Sequence, residues 1–72
     1  MSKLPIISGQ ECVRALQRLG YTISRQKGSH IRMRHESRPP VTVPDHNELD
    51  RGTLRAIIRQ AKLSVDEFVD ML

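Results

Sequence analysis

Seventy-two residues leave room for one domain, 1–72, whose core supplies only a few kcal/mol of net stability, so a stabilising partner is expected. Apolar residues make up 38% of the chain, too many for a disordered tail, and no run nears the roughly 20 that cross a bilayer. The formal charge of +4 favours an anionic partner and excludes an acidic, charge-repelled chain.

The opening Met1-Ser2-Lys3-Leu4-Pro5-Ile6-Ile7 has too short an apolar run for a signal peptide, so a cytoplasmic location is expected. Cys12 is the only cysteine. It excludes an internal disulfide and reads as a small buried residue rather than a nucleophile. His30, His35 and His46 lack zinc spacing, so neither a metal site nor a small-molecule cofactor is expected.

Ser8-Gly9-Gln10-Glu11 is a capping box, with Ile7 and Cys12 at the staple positions. Cys12, Leu16 and Leu19 recur at helical spacing, and Gly20 fits a left-handed stop, which predicts a first helix over roughly Ser8 to Leu19. Tyr21 to Lys27, His30 to Glu36 and Val41 to Val43 alternate as half-buried strands do. A two-residue turn at Gly28-Ser29 would set Ile23 against Arg34, mixing core with charge. A three-residue loop, Lys27-Gly28-Ser29, pairs Ile23 with Met33 and Arg25 with Ile31, so the longer loop is expected. It puts Thr22, Ser24, Gln26, His30, Arg32 and Arg34 on the polar face and leaves Arg25 along the rim of the core.

Pro39-Pro40 makes a stiff link unsuited to a central strand, and Pro44 to Asp50 reads as a polar loop. A second helix follows, with Asp50 as candidate cap, an apolar stripe of Leu54, Ile57, Ile58 and Ala61, and a basic stripe of Arg51, Arg55, Arg59 and Lys62. Ser64-Val65-Asp66-Glu67 is a second capping box opening a short third helix, with Leu63 and Phe68 at its staple positions. The order α-β-β-β-α-α predicts an α+β fold, a three-stranded antiparallel sheet with helices on one face, similar to double-stranded-RNA-binding domains.

Charge is uneven along the chain. From Cys12 to Arg38 the bases Arg14, Arg18, Arg25, Lys27, Arg32, Arg34 and Arg38 face Glu36 alone. Such a run serves equally as a solvated face or as an RNA site, since the arginine fork suits phosphate. No basic stretch carries the apolar face that membrane binding needs. Tyr21 and Phe68 are the only aromatics, which disfavours a platform that stacks successive bases.

Arg25-Gln26-Lys27-Gly28-Ser29-His30, Val43-Pro44-x-His46 and Gly52-Thr53-Leu54-x-x-Ile57 resemble the signature of HicA (YcfA-like) toxins. The resemblance covers nearly the whole chain, closing segment included. Ser37-Arg38-Pro39-Pro40 departs from the glycine-containing turn of that pattern. The resemblance implies a toxin of a toxin–antitoxin pair, an mRNA interferase of double-stranded-RNA-binding-like fold that needs no metal and is silenced by a HicB-type antitoxin. It places the catalytic histidine at His30.

His30 by itself reads as an ordinary surface histidine of a strand. Its setting also suits chemistry: it follows a Gly-Ser turn and has Lys27, Arg32 and Arg34 nearby to balance phosphate charge. The candidate RNA-binding set is Arg25, Lys27, Gly28, Ser29, Arg32, Arg34 and Thr53, with Ser29 and Thr53 equally suited to turn and capping roles. His35 points to the core side by alternation, and His46 sits in a loop. A non-catalytic RNA-binding module is the alternative, and a protein-interaction domain the third reading. The start of the second long helix, Asp50-Arg51-Gly52-Thr53, has one base where double-stranded-RNA binders carry a lysine cluster, which favours the nuclease.

Overall fold

The computed structural model describes residues 3–72; Met1 and Ser2, the start of the short opening segment, lie outside the described residues. The elements are α1 (Gly9–Leu19), β1 (Thr22–Lys27), β2 (His30–Arg34), β3 (Val41–Pro44), α2 (Arg51–Gln60) and α3 (Val65–Val69). The strands form one antiparallel sheet in the order β1-β2-β3. The fold is the expected α+β arrangement.

Each helix start follows from its cap. Ser8 accepts from the Glu11 amide at 3.1 Å while Glu11 accepts from the Ser8 amide at 2.9 Å; Ser64 and Glu67 repeat the exchange at 3.1 and 2.8 Å. Asp50 caps α2 through the Thr53 amide at 2.7 Å. These bonds satisfy amides that a helix leaves unpaired. They also hold the carboxyls of Glu11, Asp50 and Glu67 below their ordinary range, because an accepted hydrogen bond favours the ionised form.

Helices α1 and α2 both pack across β3, covering the face that carries Ile31, Met33, Val41 and Val43. Cys12, Val13, Ala15 and Leu16 of α1, Leu54, Ile57 and Ile58 of α2, and Phe68 join them in the core cluster, with Ile7, Tyr21, Leu49 and Ala61. Gly9 is buried where α1 meets the end of β3, and a side chain there would collide with the Pro44 carbonyl. Gly20 takes φ 110°, a backbone conformation that favours glycine, and lies against the His35 ring.

The hairpin departs from expectation. Lys27 pairs with His30 across a two-residue Gly28-Ser29 turn, yet Ile23 pairs with Met33. A bulge between Ile23 and Arg25 reconciles the two. Ser24 is the extra residue, its hydroxyl donating to the Arg32 carbonyl at 3.3 Å. Past the bulge the parity of β1 reverses: Arg25 pairs with Arg32 and Gln26 with Ile31. Paired residues share a face, so Arg25 stands on the open face with Arg32, not along the core rim, and Gln26 exchanges places with it. Gly28 takes φ 58° while Ser29 stays out of the positive region, as the II′ hairpin turn requires.

β1 is also less buried than alternation implies. All six of its residues are exposed, and Ile23 on the helix side is 47% exposed, because α1 and α2 sit over β3 and leave the β1 edge uncovered.

Candidate nucleic-acid interface

On the open face of the sheet a shallow concavity is lined by Ser24, Arg25, Lys27, His30, Arg32, Arg34 and Thr42. Each position follows from the register. His30, Arg32 and Arg34 alternate along β2 with the buried Ile31 and Met33, so burial of the latter pair fixes the former outward. Lys27 stands across from His30 on one side and Pro44 on the other, and Arg25 and Thr42 flank Arg32. The Arg32 guanidinium donates to the Thr42 hydroxyl at 3.2 Å. Among the described residues, no carboxylate lines the concavity.

Of the residues read from the sequence, the concavity brings together His30, Arg25, Lys27, Arg32 and Arg34. Gly28 and Ser29 form the turn at its His30 end, where the Ser29 carbonyl accepts from the Asp45 amide at 2.6 Å. Thr53 lies elsewhere: its amide and hydroxyl both bond Asp50, at 2.7 and 3.0 Å, so its hydroxyl belongs to the cap of α2. Ser24 stands on the face where alternation put it, though within a bulge, and Thr42 was not anticipated. Ser24 comes with a bulge that alternation conceals, and Thr42 follows only from the register of β3 on β2.

The other histidines are built differently. His35 Nε2 lies 3.0 Å from the Leu19 carbonyl and Nδ1 accepts from the Ser37 amide at 3.0 Å. A carbonyl only accepts and an amide only donates, so these partners select the Nε2–H tautomer. The ring also meets Tyr21 edge-on, centroids 4.9 Å apart, which gives His35 a structural place. His46 lies in the loop ahead of α2, and its carbonyl accepts from the Gly9 amide at 2.8 Å.

Two arginines of the basic run serve the fold. Arg18 donates to the Met71 carbonyl at 2.7 Å. Arg38 donates to the carbonyls of Ala61 and Lys62 at 2.9 and 3.3 Å, closing the end of α2, where Lys62 takes φ 63°. The Pro39-Pro40 link is anchored by the buried Tyr21, whose hydroxyl donates to the Pro39 carbonyl at 2.7 Å.

Burial pushes the Cys12 thiol up to about 12, in keeping with a core role and opposed to a nucleophilic thiolate. Among the described residues, no three His, Cys, Asp or Glu side chains are grouped as a metal site would need. Among the same residues, no helix is long and apolar enough to cross a membrane.

A comparison with curated proteins returns no match. Among solved structures, the chain is similar to one described as a toxin–antitoxin complex from Streptococcus pneumoniae, with 38% identity and a TM-score of 0.70, over 79% of this chain and 98% of that one. The family model described as the HicA toxin of bacterial toxin–antitoxin systems matches residues 9–63, a span that takes in α1, the bulged hairpin, the whole open face and α2 with its Asp50 cap. The chain belongs to the HicA toxin family.

Proposed function

We propose that this toxin is a metal-independent endoribonuclease that cuts mRNA, with His30 as general acid–base and Arg25, Lys27, Arg32 and Arg34 holding the RNA backbone. The observation that carries this reading is the placement of an exposed histidine directly across from a lysine, on a face with three arginines and no carboxylate. RNA supplies its own nucleophile in the ribose 2′-hydroxyl. Attack of that oxygen on the adjacent phosphorus forms a 2′,3′-cyclic phosphate and breaks the bond to the 5′ oxygen of the next nucleotide. The chain has only to move a proton and balance charge. His30 takes the 2′ proton or delivers one to the leaving oxygen, and Lys27 with the arginines offsets the charge that builds on the phosphate.

The backbone of the Gly28-Ser29 turn lets a phosphate approach closely beside His30. Thr53 is left out of this RNA surface, since its hydroxyl is held by Asp50. A HicB-type antitoxin, with acidic groups meeting the same cations, would silence the toxin by covering His30, and such an association is fast and salt-sensitive. The toxin–antitoxin assembly of the structurally similar protein supports a protein partner of this kind. The reading places the toxin in the cytoplasm, where mRNA is, as a single domain. A non-catalytic RNA module would need the same cations but not His30.

The test is cleavage of a single-stranded RNA in excess chelator. Products ending in a 2′,3′-cyclic phosphate are expected, and no cutting of the 2′-deoxy oligonucleotide. Cutting of the deoxy strand, or dependence on added metal, would sink this mechanism.

A further inference from the structure

The cations of the open face follow one strand. His30, Arg32 and Arg34 alternate along β2, so neighbours stand roughly 6.6 Å apart and the row spans about 13 Å. That step is comparable with the distance between successive phosphates of an extended RNA strand. A second row reinforces it, with Lys27 across from His30 and Arg25 across from Arg32. Two guanidiniums set directly opposite one another destabilise a bare sheet, and no carboxylate lines the concavity to relieve them. An anion lying between them would.

The row is also one-sided. Beyond His30 the chain turns back at Gly28-Ser29, and there Asp45, whose amide bonds the Ser29 carbonyl and whose carboxylate is held by Gln10 at 3.0 Å, brings a negative charge to that end. Toward Arg34 the row holds cations alone as far as the end of β2, with Glu36 standing just beyond it, and Arg32 is steadied over the middle of the sheet by Thr42.

Resting on the ribonuclease reading, we propose that the RNA backbone runs along β2 with three phosphates engaged. The cleaved phosphate lies between His30 and Lys27. The next phosphate on one side lies on Arg25 and Arg32, and the one after it on Arg34. The other side of the cleaved bond leaves the protein. The occupant is single-stranded RNA, and a tetranucleotide fills the track.

Binding tests the track without requiring cleavage. The His30→Ala protein would be titrated with single-stranded RNAs of two to eight nucleotides at several salt concentrations. The slope of log affinity against log salt should grow by about 0.7 per phosphate and level off near 2 at four nucleotides. Arg34→Gln in the same background should lose about 0.7 of that slope, and Arg32→Gln, whose phosphate keeps Arg25, no more than that. A slope that keeps growing to eight nucleotides, or one untouched by Arg34→Gln, overturns the track.

Cleavage by the unmodified protein tests the one-sidedness. Substrates lengthened stepwise on either side of the cut bond should gain rate on one side only, and Arg34→Gln should lose the second gain. Equal gains on both sides overturn the track and leave the ribonuclease intact. Failure to cut any RNA, with the binding plateau in place, sinks the ribonuclease and leaves the track.

Discussion

The two ends of β2 set the same residue types in opposite surroundings. At one end His30 is exposed beside Lys27 and a bank of arginines. Just past the other end His35 is half-buried, with both ring nitrogens occupied by backbone partners and its edge against Tyr21. The arginines divide the same way: Arg18 and Arg38 cap carbonyls, while Arg25 and Arg34 line the open face. A basic residue is available to a ligand only where the fold does not already use it. Parity along the chain settles which case holds, because His35 lies five positions after His30 and an odd step changes faces.

The largest effect should separate the histidines. His30→Ala is expected to lower the rate of RNA cleavage by about 10²–10⁴-fold, the usual worth of a general acid–base, with an unchanged urea midpoint. His35→Ala should do the reverse. It loses two hydrogen bonds and an aromatic edge contact, about 1–3 kcal/mol of stability together, while the fraction that stays folded cuts at the parent rate. Paired urea titrations and rates corrected for folded fraction would read both. A destabilised but fully active His30→Ala protein would reverse the assignment.

Much of this contrast could be read from the chain. The caps at Ser8, Asp50 and Ser64, the stop at Gly20 and the outward set of His30, Arg32 and Arg34 all follow from short-range spacing, and the structure keeps them. The hairpin could not be read so directly. A three-residue loop and a two-residue turn with a bulge both set Ile23 against Met33, so the hydrophobic criterion is blind between them. They differ only in the parity of Arg25, Gln26 and Lys27, all exposed in the structure, where burial exerts no preference. Turn chemistry held the better clue, since Gly-Ser suits a two-residue II′ turn. The roles of Arg18 and Arg38 were hidden for another reason: their carbonyl partners lie 53 and 23 residues away, and no local pattern announces such a contact.

A second contrast, between core and caps, should appear as pH dependence at opposite ends of the scale. Burial raises the Cys12 thiol from 9.0 to about 12. An unfolded chain therefore ionises this thiol where the folded one does not. Its contribution is fully present below pH 9 and is lost as pH rises from there toward 12. The capping carboxyls of Glu11, Asp50 and Glu67 are lowered from their ordinary 4.5, 3.8 and 4.5. Their contribution is present above those values and is lost as pH falls through and below them. Urea midpoints from pH 3 to 11 should show both declines, and Cys12→Ala should flatten only the alkaline one. Rapid reaction of Cys12 with a thiol reagent at pH 8 under native conditions would contradict the buried, protonated thiol.

The smallest effects should come from the arginines, and their order should depend on what is measured. Arg38 is half-buried and donates to two carbonyls at the end of α2, where Lys62 takes a left-handed conformation without help from glycine. Removing it leaves those carbonyls without a charged donor, so Arg38→Ala is expected to cost about 1–2 kcal/mol. Arg34 is exposed at the end of β2, so Arg34→Ala should stay within about 0.5 kcal/mol of the parent. For RNA the order reverses. Arg34→Ala should reduce the salt dependence of binding by about 0.7, the share of one phosphate on a single strand, while Arg38→Ala should leave the slope alone once the protein is folded. Urea midpoints and salt-titrated affinities on the same two variants decide it. If both variants lost stability alike, or both lost slope alike, the division of arginines between fold and ligand would fail at the positions where it is most sharply drawn.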